Sequence, residues 1–201
     1  CCVPPQNQKL VSDLIANERY HYIEPQHHRV FIDKMWQIGQ AIHENRYIEI
    51  GYERMKDKKV VKRKVQPQAI LFSEFYFYLA AYIEDIDREK EFDVANDMFP
   101  TIYRMDRIRS LTVLEEHFSI PYSERFEEGE YRKRIQFMYG GKLQRTKFWY
   151  TGLSVEAVLD RLPTAKILRE EEGRFLISAE TFGKGIEMWL RSQGDNVELV
   201  K

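Results

Sequence analysis

The sequence is poor in cysteine, in net charge and in long apolar runs, and each shortage excludes something. Only two of its 201 residues are cysteine, and they are neighbours, Cys1 and Cys2. Adjacent thiols cannot cross-link distant loops, so a disulfide framework is excluded and a reducing, cytoplasmic setting is expected. The chain carries 31 Lys and Arg against 32 Asp and Glu, a formal net charge of -1. A balance this even rules out attraction of the whole surface to nucleic acid or membrane. Any site for a polyanion must be a local patch. No run of about 18 apolar residues occurs, so no membrane-spanning helix is expected. No leader pattern opens the chain and no initiating Met is present, so a piece of a longer protein is expected.

The chemistry-bearing motifs of common enzymes are missing too. There is no G-x-S-x-G, no phosphate-binding P-loop and no G-x-G-x-x-G. His21, His27, His28 and His43 cluster in sequence but show no metal-ligand spacing, and a surface role outweighs a metal role. No metal, cofactor or catalytic residue is assigned, and the chain is expected not to be an enzyme.

What remains is a chain with 43% hydrophobic and 13% aromatic residues, enough for a packed core. Residues 6 to 18 have the spacing of a short amphipathic helix, followed by a break around Pro25. Phe31, Met35, Ile38 and Ile42 then predict a helix of roughly four turns that ends near Asn45. From Arg46 the period changes to two. Strands are predicted from Arg46, with Ile48, Ile50 and Tyr52 on one face, at Val61 to Pro67, at Ala69 to Phe72, at Phe75 to Ile83 and at Thr101 to Ile108, with a sixth at Leu111 to Leu114. Glu84 to Asn96 is an acidic loop. Five or six short strands with tight turns predict a small barrel or rolled sheet. Residues 115 to 130 are a linker. Beyond it the predicted order is strand (Tyr131 to Tyr139), helix capped by Ser154, hairpin turning at Glu171-Glu172-Gly173, helix from Thr181 to Gly194, and a last strand at Val197 to Val200. That is the β-α-β-β-α-β pattern of ferredoxin-like domains. The fold class is therefore α+β.

Certain residues fall in a familiar sequence. Lys64-Val65-Gln66-Pro67 precedes Phe77-Tyr78-Leu79-Ala80-Ala81-Tyr82, and Tyr103-Arg104-Met105-Asp106-Arg107-Ile108 follows it. This series resembles the WYL domain, named for a Trp-Tyr-Leu triplet, with Phe77 in place of the Trp. The tail from Phe148 through Trp189-Leu190-Arg191-Ser192-Gln193-Gly194-Asp195 to Val200 is similar to the extension called WCX. The resemblance implies an Sm-like β-barrel at 46–118 and a WCX domain at 130–201, after a helical connector at 1–45. It implies the effector-sensing and dimerisation region of a bacterial transcription regulator, a homodimer that binds an anionic nucleotide or single-stranded nucleic acid. No helix-turn-helix fits into residues 1 to 44. Operator DNA would therefore be reached only through an N-terminal domain that this chain lacks.

The residues themselves offer a place for such a ligand. Arg54, Lys56, Lys58, Lys59, Lys62, Arg63 and Lys64 make a positive hairpin, suited to phosphate. The competing reading is a solvated charged hairpin. Tyr76, Tyr78 and Tyr82 share one strand face and could stack bases, opposite the apolar face of Phe75, Phe77, Leu79 and Ala81. The competing reading is a tyrosine face covered by a neighbouring element. Arg104 and Arg107 are always-charged planar donor forks. Their odd spacing puts them on opposite faces of a regular strand, so they can serve one site only if the chain turns at Asp106. The competing reading is an ion pair of Arg107 with Asp106 or with the acidic loop. The candidate ligand-binding residues are Tyr52, Lys62, Lys64, Tyr78, Tyr82, Arg104 and Arg107. Arg132, Lys133, Arg134, Lys142, Arg145 and Lys147 form a second basic stretch, which could extend the binding face or meet a partner subunit. A protein-interaction or assembly module without a small ligand is the alternative function.

Overall fold

A computed structural model of the chain describes residues 4–16, 20, 29–84, 100–121 and 125–200. Two compact units result, Cys1–Val30 and Phe31–Lys201. In the first, a single 3-10 turn leads into helix α1 (Gln8–Leu14), none of whose residues is buried. Most of the break expected around Pro25, three of the histidines and nearly all of the acidic loop at 84–96 lie outside the described residues.

The second unit opens with helix α2 (Ile32–His43), followed by β1 (Arg46–Glu53), β2 (Val60–Ser73), β3 (Tyr76–Ile83), β4 (Thr101–Arg104) and β5 (Ile108–His117). These five strands form one antiparallel sheet in the order β4-β3-β2-β1-β5. The sheet is open in this pairing rather than closed into a barrel. The apolar parity read from the sequence explains one of its faces. Ile48 and Ile50 of β1, Val65 of β2 and Leu79 and Ala81 of β3 are buried with Tyr103, Met105 and Ile108. Helix α2 covers this face with Ile38 and Ala41, flanked by Phe31, Met35 and Ile42 at helical spacing. The burial of these side chains is the main favourable term for the element.

Two expected strands are one. The chain does not leave the sheet at Pro67; β2 runs on to Ser73, with a register shift between Pro67 and Ala69 opposite β3. Proline cannot donate to a ladder, and inside a central strand it is accommodated at such a bulge. The extra residue also swaps the faces. Val65 points into the α2-covered core, whereas Ala69 and Leu71 belong to a second core on the opposite face.

Helix α3 (Glu128–Arg134), β6 (Leu143–Tyr150), helix α4 (Val155–Arg161), β7 (Lys166–Glu171), β8 (Arg174–Phe182), helix α5 (Gly185–Ser192) and β9 (Val197–Leu199) complete the unit. The expected strand at Tyr131 to Tyr139 is instead helix up to Arg134 and bend and turn beyond it. Tyr131 and Ile135 are buried one turn apart, and Glu128 and Glu130 bridge to Arg132, Lys133 and Arg134 at helical spacing. The first strand of this half is β6, so the element order from β6 onward is β-α-β-β-α-β, and the sheet order is β7-β8-β6-β9. Ser154 caps α4 by accepting a bond from the Ala157 N–H at 3.3 Å. The helix expected from Thr181 starts later, at Gly185, because β8 continues to Phe182. Phe148, Tyr150, Ile177 and Ala179 pack under α4 and α5 with Val158, Leu162, Ile186 and Trp189.

The two sheets meet through the second face of the first one. Ala69, Leu71 and Ala80 are buried with Tyr131, Ile135 and Phe182, with Tyr78, Ile102, Phe126 and Met138 at the margin. Gly183 sits at φ +59°, where a side chain is strained. A Cβ there would strike the Gly140 carbonyl, and one on Gly185 would strike that of Gln136. Close packing, rather than an anion site, accounts for both glycines.

Candidate functional site

The alternation along β3 distributes its aromatic triplet. Phe77 turns toward Phe31, at 6.0 Å between ring centroids, and toward Phe72 at 4.9 Å. Leu79 is fully buried in the α2-covered core. Tyr78 points the other way, to the margin of the seam between the sheets. Directly across the ladder from Tyr78 is Arg104 of β4. After Arg104 the chain leaves the strand in a single 3-10 turn, Met105–Arg107. This turn removes the parity objection to Arg107, since a regular strand would have sent the two arginines to opposite faces.

Arg104 is held from several sides. Its Nε and Nη2 donate to the two carboxylate oxygens of Asp106 at 3.0 and 2.9 Å. Its guanidinium lies 3.5 Å from the centroid of the Tyr76 ring. Its backbone N–H donates to the Tyr52 hydroxyl at 3.4 Å. Asp106 is buried, so the fork is fixed in a bidentate charge-assisted pair. Burial works against the arginine's charge, but the bonds it donates to Asp106 and the neighbouring charges outweigh it and raise its pKa. Burial likewise raises the Tyr78 phenol above its ordinary range, opposed by the positive fields of Arg104 and Arg107. Arg107, half-buried, makes no hydrogen bond or ion pair with any described residue. An always-charged fork without an acceptor, beside a phenol and a second guanidinium, is a place where an anion gains most.

The other candidates are elsewhere. Tyr52 is a support: its ring packs edge-on against Tyr103 at 4.9 Å and its hydroxyl meets the backbone of Arg104. Lys62 pairs with Glu49 at 3.2 Å and Lys64 with Glu116 at 2.6 Å. Tyr82 is across from Gln66, toward that lysine end, whereas Tyr78 is across from Leu71. Leu71 and Lys64 lie about 20 Å apart along β2 at roughly 3.3 Å per residue. The seven residues therefore fall into two groups, with Tyr78, Arg104 and Arg107 in one. The basic hairpin is partly neutralised, since Arg54 also pairs with Asp57. The tyrosine face is partly covered at the seam, by Tyr131, Ile135 and Phe182.

Sequence reasoning missed two partners. Asp106 is expected as a turn residue or as an ion-pair partner of Arg107, whereas the arginine it holds is Arg104, two residues before it. Tyr47 was not considered, yet the Lys64 ammonium lies 4.5 Å from its ring centroid. In the second basic stretch, Arg132, Lys133 and Arg134 pair within α3, and Arg145 pairs with Glu180 across the β6–β8 ladder. Among the described residues no group of three or more His, Cys, Asp and Glu gathers to hold a metal. No helix among them is long and apolar enough to cross a membrane.

The first sheet is an antiparallel sheet backed by a helix, with Arg104 and Arg107 beside the aromatic strand β3. Residues 33–113 match the family model of the WYL domain, and the matched segment takes in most of α2 together with β1 to β4 and part of β5. The structure is similar to proteasome accessory factor B/C (PafBC) of Arthrobacter aurescens, at 16% identity over 83% of this chain and 24% of that one, with a TM-score of 0.39. It is also similar to a protein described as CRISPR Cas-related, at 18% identity over 85% of this chain and 48% of that one, with a TM-score of 0.52. The second likeness supports the fold. The chain spans less than half the length of either. No curated protein matches.

Proposed function

We propose that the chain is the effector-sensing and dimerisation region of a DNA-binding transcription regulator of the cytoplasm, and not an enzyme. In this reading β1 to β5 are an Sm-like barrel left open between its edge strands, and β6 to β9 with α4 and α5 are a ferredoxin-like WCX domain. The ligand is an anionic nucleotide, or the end of a single strand. Its phosphate meets Arg107 and the outer edge of Arg104, and its base lies against Tyr78 or Tyr76. Lys62 and Lys64 supply a longer-range positive field rather than direct contacts, and Tyr82 stands toward their end of the sheet. One observation carries the reading: Arg107 is unpaired among the described residues and its field reaches the Tyr78 phenol. Binding acts on transcription by favouring one arrangement of α2 or of the dimer, and operator DNA is reached through a domain N-terminal to this chain.

Titration with mononucleotides and dinucleotides at low and high salt tests this. Binding that weakens with salt and falls about tenfold or more in Arg107→Ala is expected, since charge-assisted bonds are worth about 1.5–3 kcal/mol. Undiminished binding in both Arg107→Ala and Arg104→Ala would remove the site.

One observation favours the assembly reading as a second. Trp36 on the outer side of α2 is 75% exposed and Ile32 is 64% exposed. With Met35, His43 and Ile70 they line an open groove of about 600 Å³. If this face joins two copies, Trp36→Lys shifts the sedimentation of the chain toward monomer.

A further inference from the structure

The sheet formed by β6 to β9 uses one face for its core, and the other face has a different composition. Phe148, Tyr150, Ile177 and Ala179 face α4 and α5. The opposite parity holds Arg145, Lys147 and Trp149 on β6, Arg174, Leu176, Ser178 and Glu180 on β8, Lys166, Arg169 and Glu171 on β7, and Glu198 on β9. At the Phe182 end this face joins the seam with the first sheet. From Ser178 to Arg174 none of its residues belongs to a buried cluster.

The ladder registers place these side chains in rows. Lys147 and Lys166 flank Ser178 from either side. Their Cα atoms are thus about 10 Å apart, two strand spacings. In the next row Trp149 and Arg169 flank Leu176. Arg174 closes the face, with its guanidinium 4.3 Å from the Trp149 ring centroid. The Nε of Arg174 is buried there and has no hydrogen-bond partner in the described structure. The three acids offset this set only in part, and Glu180 also lies within the field of Lys166. Glu180 pairs with Arg145 and Glu171 with Arg169, while Glu198 sits across the ladder from Trp149. No carboxylate is paired with Lys147, Lys166 or Arg174 among the described residues.

We propose that this open face is a binding surface for single-stranded nucleic acid, separate from the Tyr78–Arg104–Arg107 site. The argument is charge and ring chemistry together. Lys147 and Lys166 are cations spaced to straddle a phosphate backbone that runs along β8. The Arg174 guanidinium, laid on Trp149, is a rigid, positively charged plane on which a base stacks, and Leu176 extends the apolar floor beside it. A four-stranded sheet whose exposed face offers stacking planes within a basic field reads bases that are unpaired, because a duplex buries its base faces. Nothing in this inference depends on the nucleotide site of the first sheet.

The test is titration of the full chain with a fluorescent oligothymidylate long enough to cross the face, over a range of salt. Wild type should bind, with affinity falling steeply as salt rises. Lys147→Gln with Lys166→Gln removes two phosphate contacts, so the slope of log affinity against log salt should shrink by about 1.4. Arg174→Ala should weaken binding about tenfold by loss of the stacking plane. The double lysine variant should keep the mononucleotide response of the first site, so failure of either site is seen separately. Failure of the wild type to bind the oligonucleotide overturns the proposal. So does an unchanged affinity and salt slope in the double variant, or a change only in its sedimentation, which would make the face a contact between copies of the chain. Circular dichroism of these exposed-site variants confirms that they are folded.

Discussion

Replacing Asp106 by Asn tests how the arginine site is held together. Asp106 has 6% of its side chain exposed and Arg104 has 21%. The substitution keeps the shape and removes the charge that fixes two bonds of 3.0 and 2.9 Å. Breaking a fully buried pair costs about 3–5 kcal/mol, mostly because the surviving charge is left uncompensated. Arg104 is not fully buried and keeps the Tyr76 ring at 3.5 Å. The expected loss is therefore at the lower end, about 2–3 kcal/mol. With a urea dependence of about 2 kcal/mol per molar, the unfolding midpoint falls by about 1 M. Equilibrium urea unfolding followed by circular dichroism reads this directly. Added salt should leave the loss nearly unchanged, because a pair this sheltered is poorly screened. In an Arg104→Met background the same substitution should cost less, since the pair with Arg104 is then already gone. An interaction energy near zero in this cycle, or a midpoint shift below about 0.3 M in the single variant, would refute the reasoning.

Three other outcomes follow from the geometry. Phe148 is fully buried against the ring of Trp189, so Phe148→Ala should lower stability by about 3–5 kcal/mol in the same urea assay. Gly183→Ala combines a φ of +59° with a clash against the Gly140 carbonyl; it should cost more than about 2 kcal/mol, whereas Gly173→Ala, with open space around it, should pay only for its own φ of about +76°, roughly 1 kcal/mol. Glu130 should titrate in a carbon-detected NMR pH series with a midpoint of about 2 rather than the ordinary 4.5, because it accepts bonds from Lys133 and Arg134. A depressed carboxyl stabilises the fold above its unfolded value, so this small, salt-sensitive contribution is complete above about pH 4.5 and is lost as pH falls toward 2. A midpoint at 4.5 would mean that the α3 pairs do not persist in solution.

The residues that were legible in the sequence are those where one period acts alone. Ile48 and Ile50 alternate without competition, and they are buried as that alternation requires. Phe31, Met35, Ile38 and Ile42 keep helical spacing and pack on one core. At 131–139 two periods coexist. Tyr131, Ile135 and Tyr139 recur every four residues, while Phe137 fills in an alternation of two. The chain resolves the conflict as a helix to Arg134, and then turns through Phe137 and Met138, both at φ 52°. Burial of Tyr131 and Ile135 one helical turn apart favours the helix, and ion pairs at the same spacing add to it, which an alternation count does not see. Pro67 misled for a related reason. A missing donor ends most strands, but a bulge lets this one continue. The site suffered from the same blindness to charge pairing. Lys62 and Lys64 looked like a phosphate cradle until strands β1 and β5 brought Glu49 and Glu116 beside them.

The surviving cluster owes its position to an interruption rather than to a pattern. Were β4 to run straight into β5, Arg107 would point away from Arg104. The 3-10 turn at Met105–Arg107 prevents this, and buried Asp106 fastens it to Arg104. The strand facing this turn is also the one whose neighbouring side chains reach other parts of the unit. Phe77 touches Phe31 at the entry to α2, Leu79 fills the core, and Tyr78 lies at the margin of the seam where the two sheets pack. An anion drawn to Arg107 would meet Tyr78 first. A shift of that ring is resisted on one side by Arg104 and transmitted on the other to residues that join the halves. Rings packed on both faces of one strand do not move independently, because close-packed side chains have few alternative arrangements. The same placement that covers part of the Tyr78 ring makes it the point from which occupancy of the proposed site would be felt.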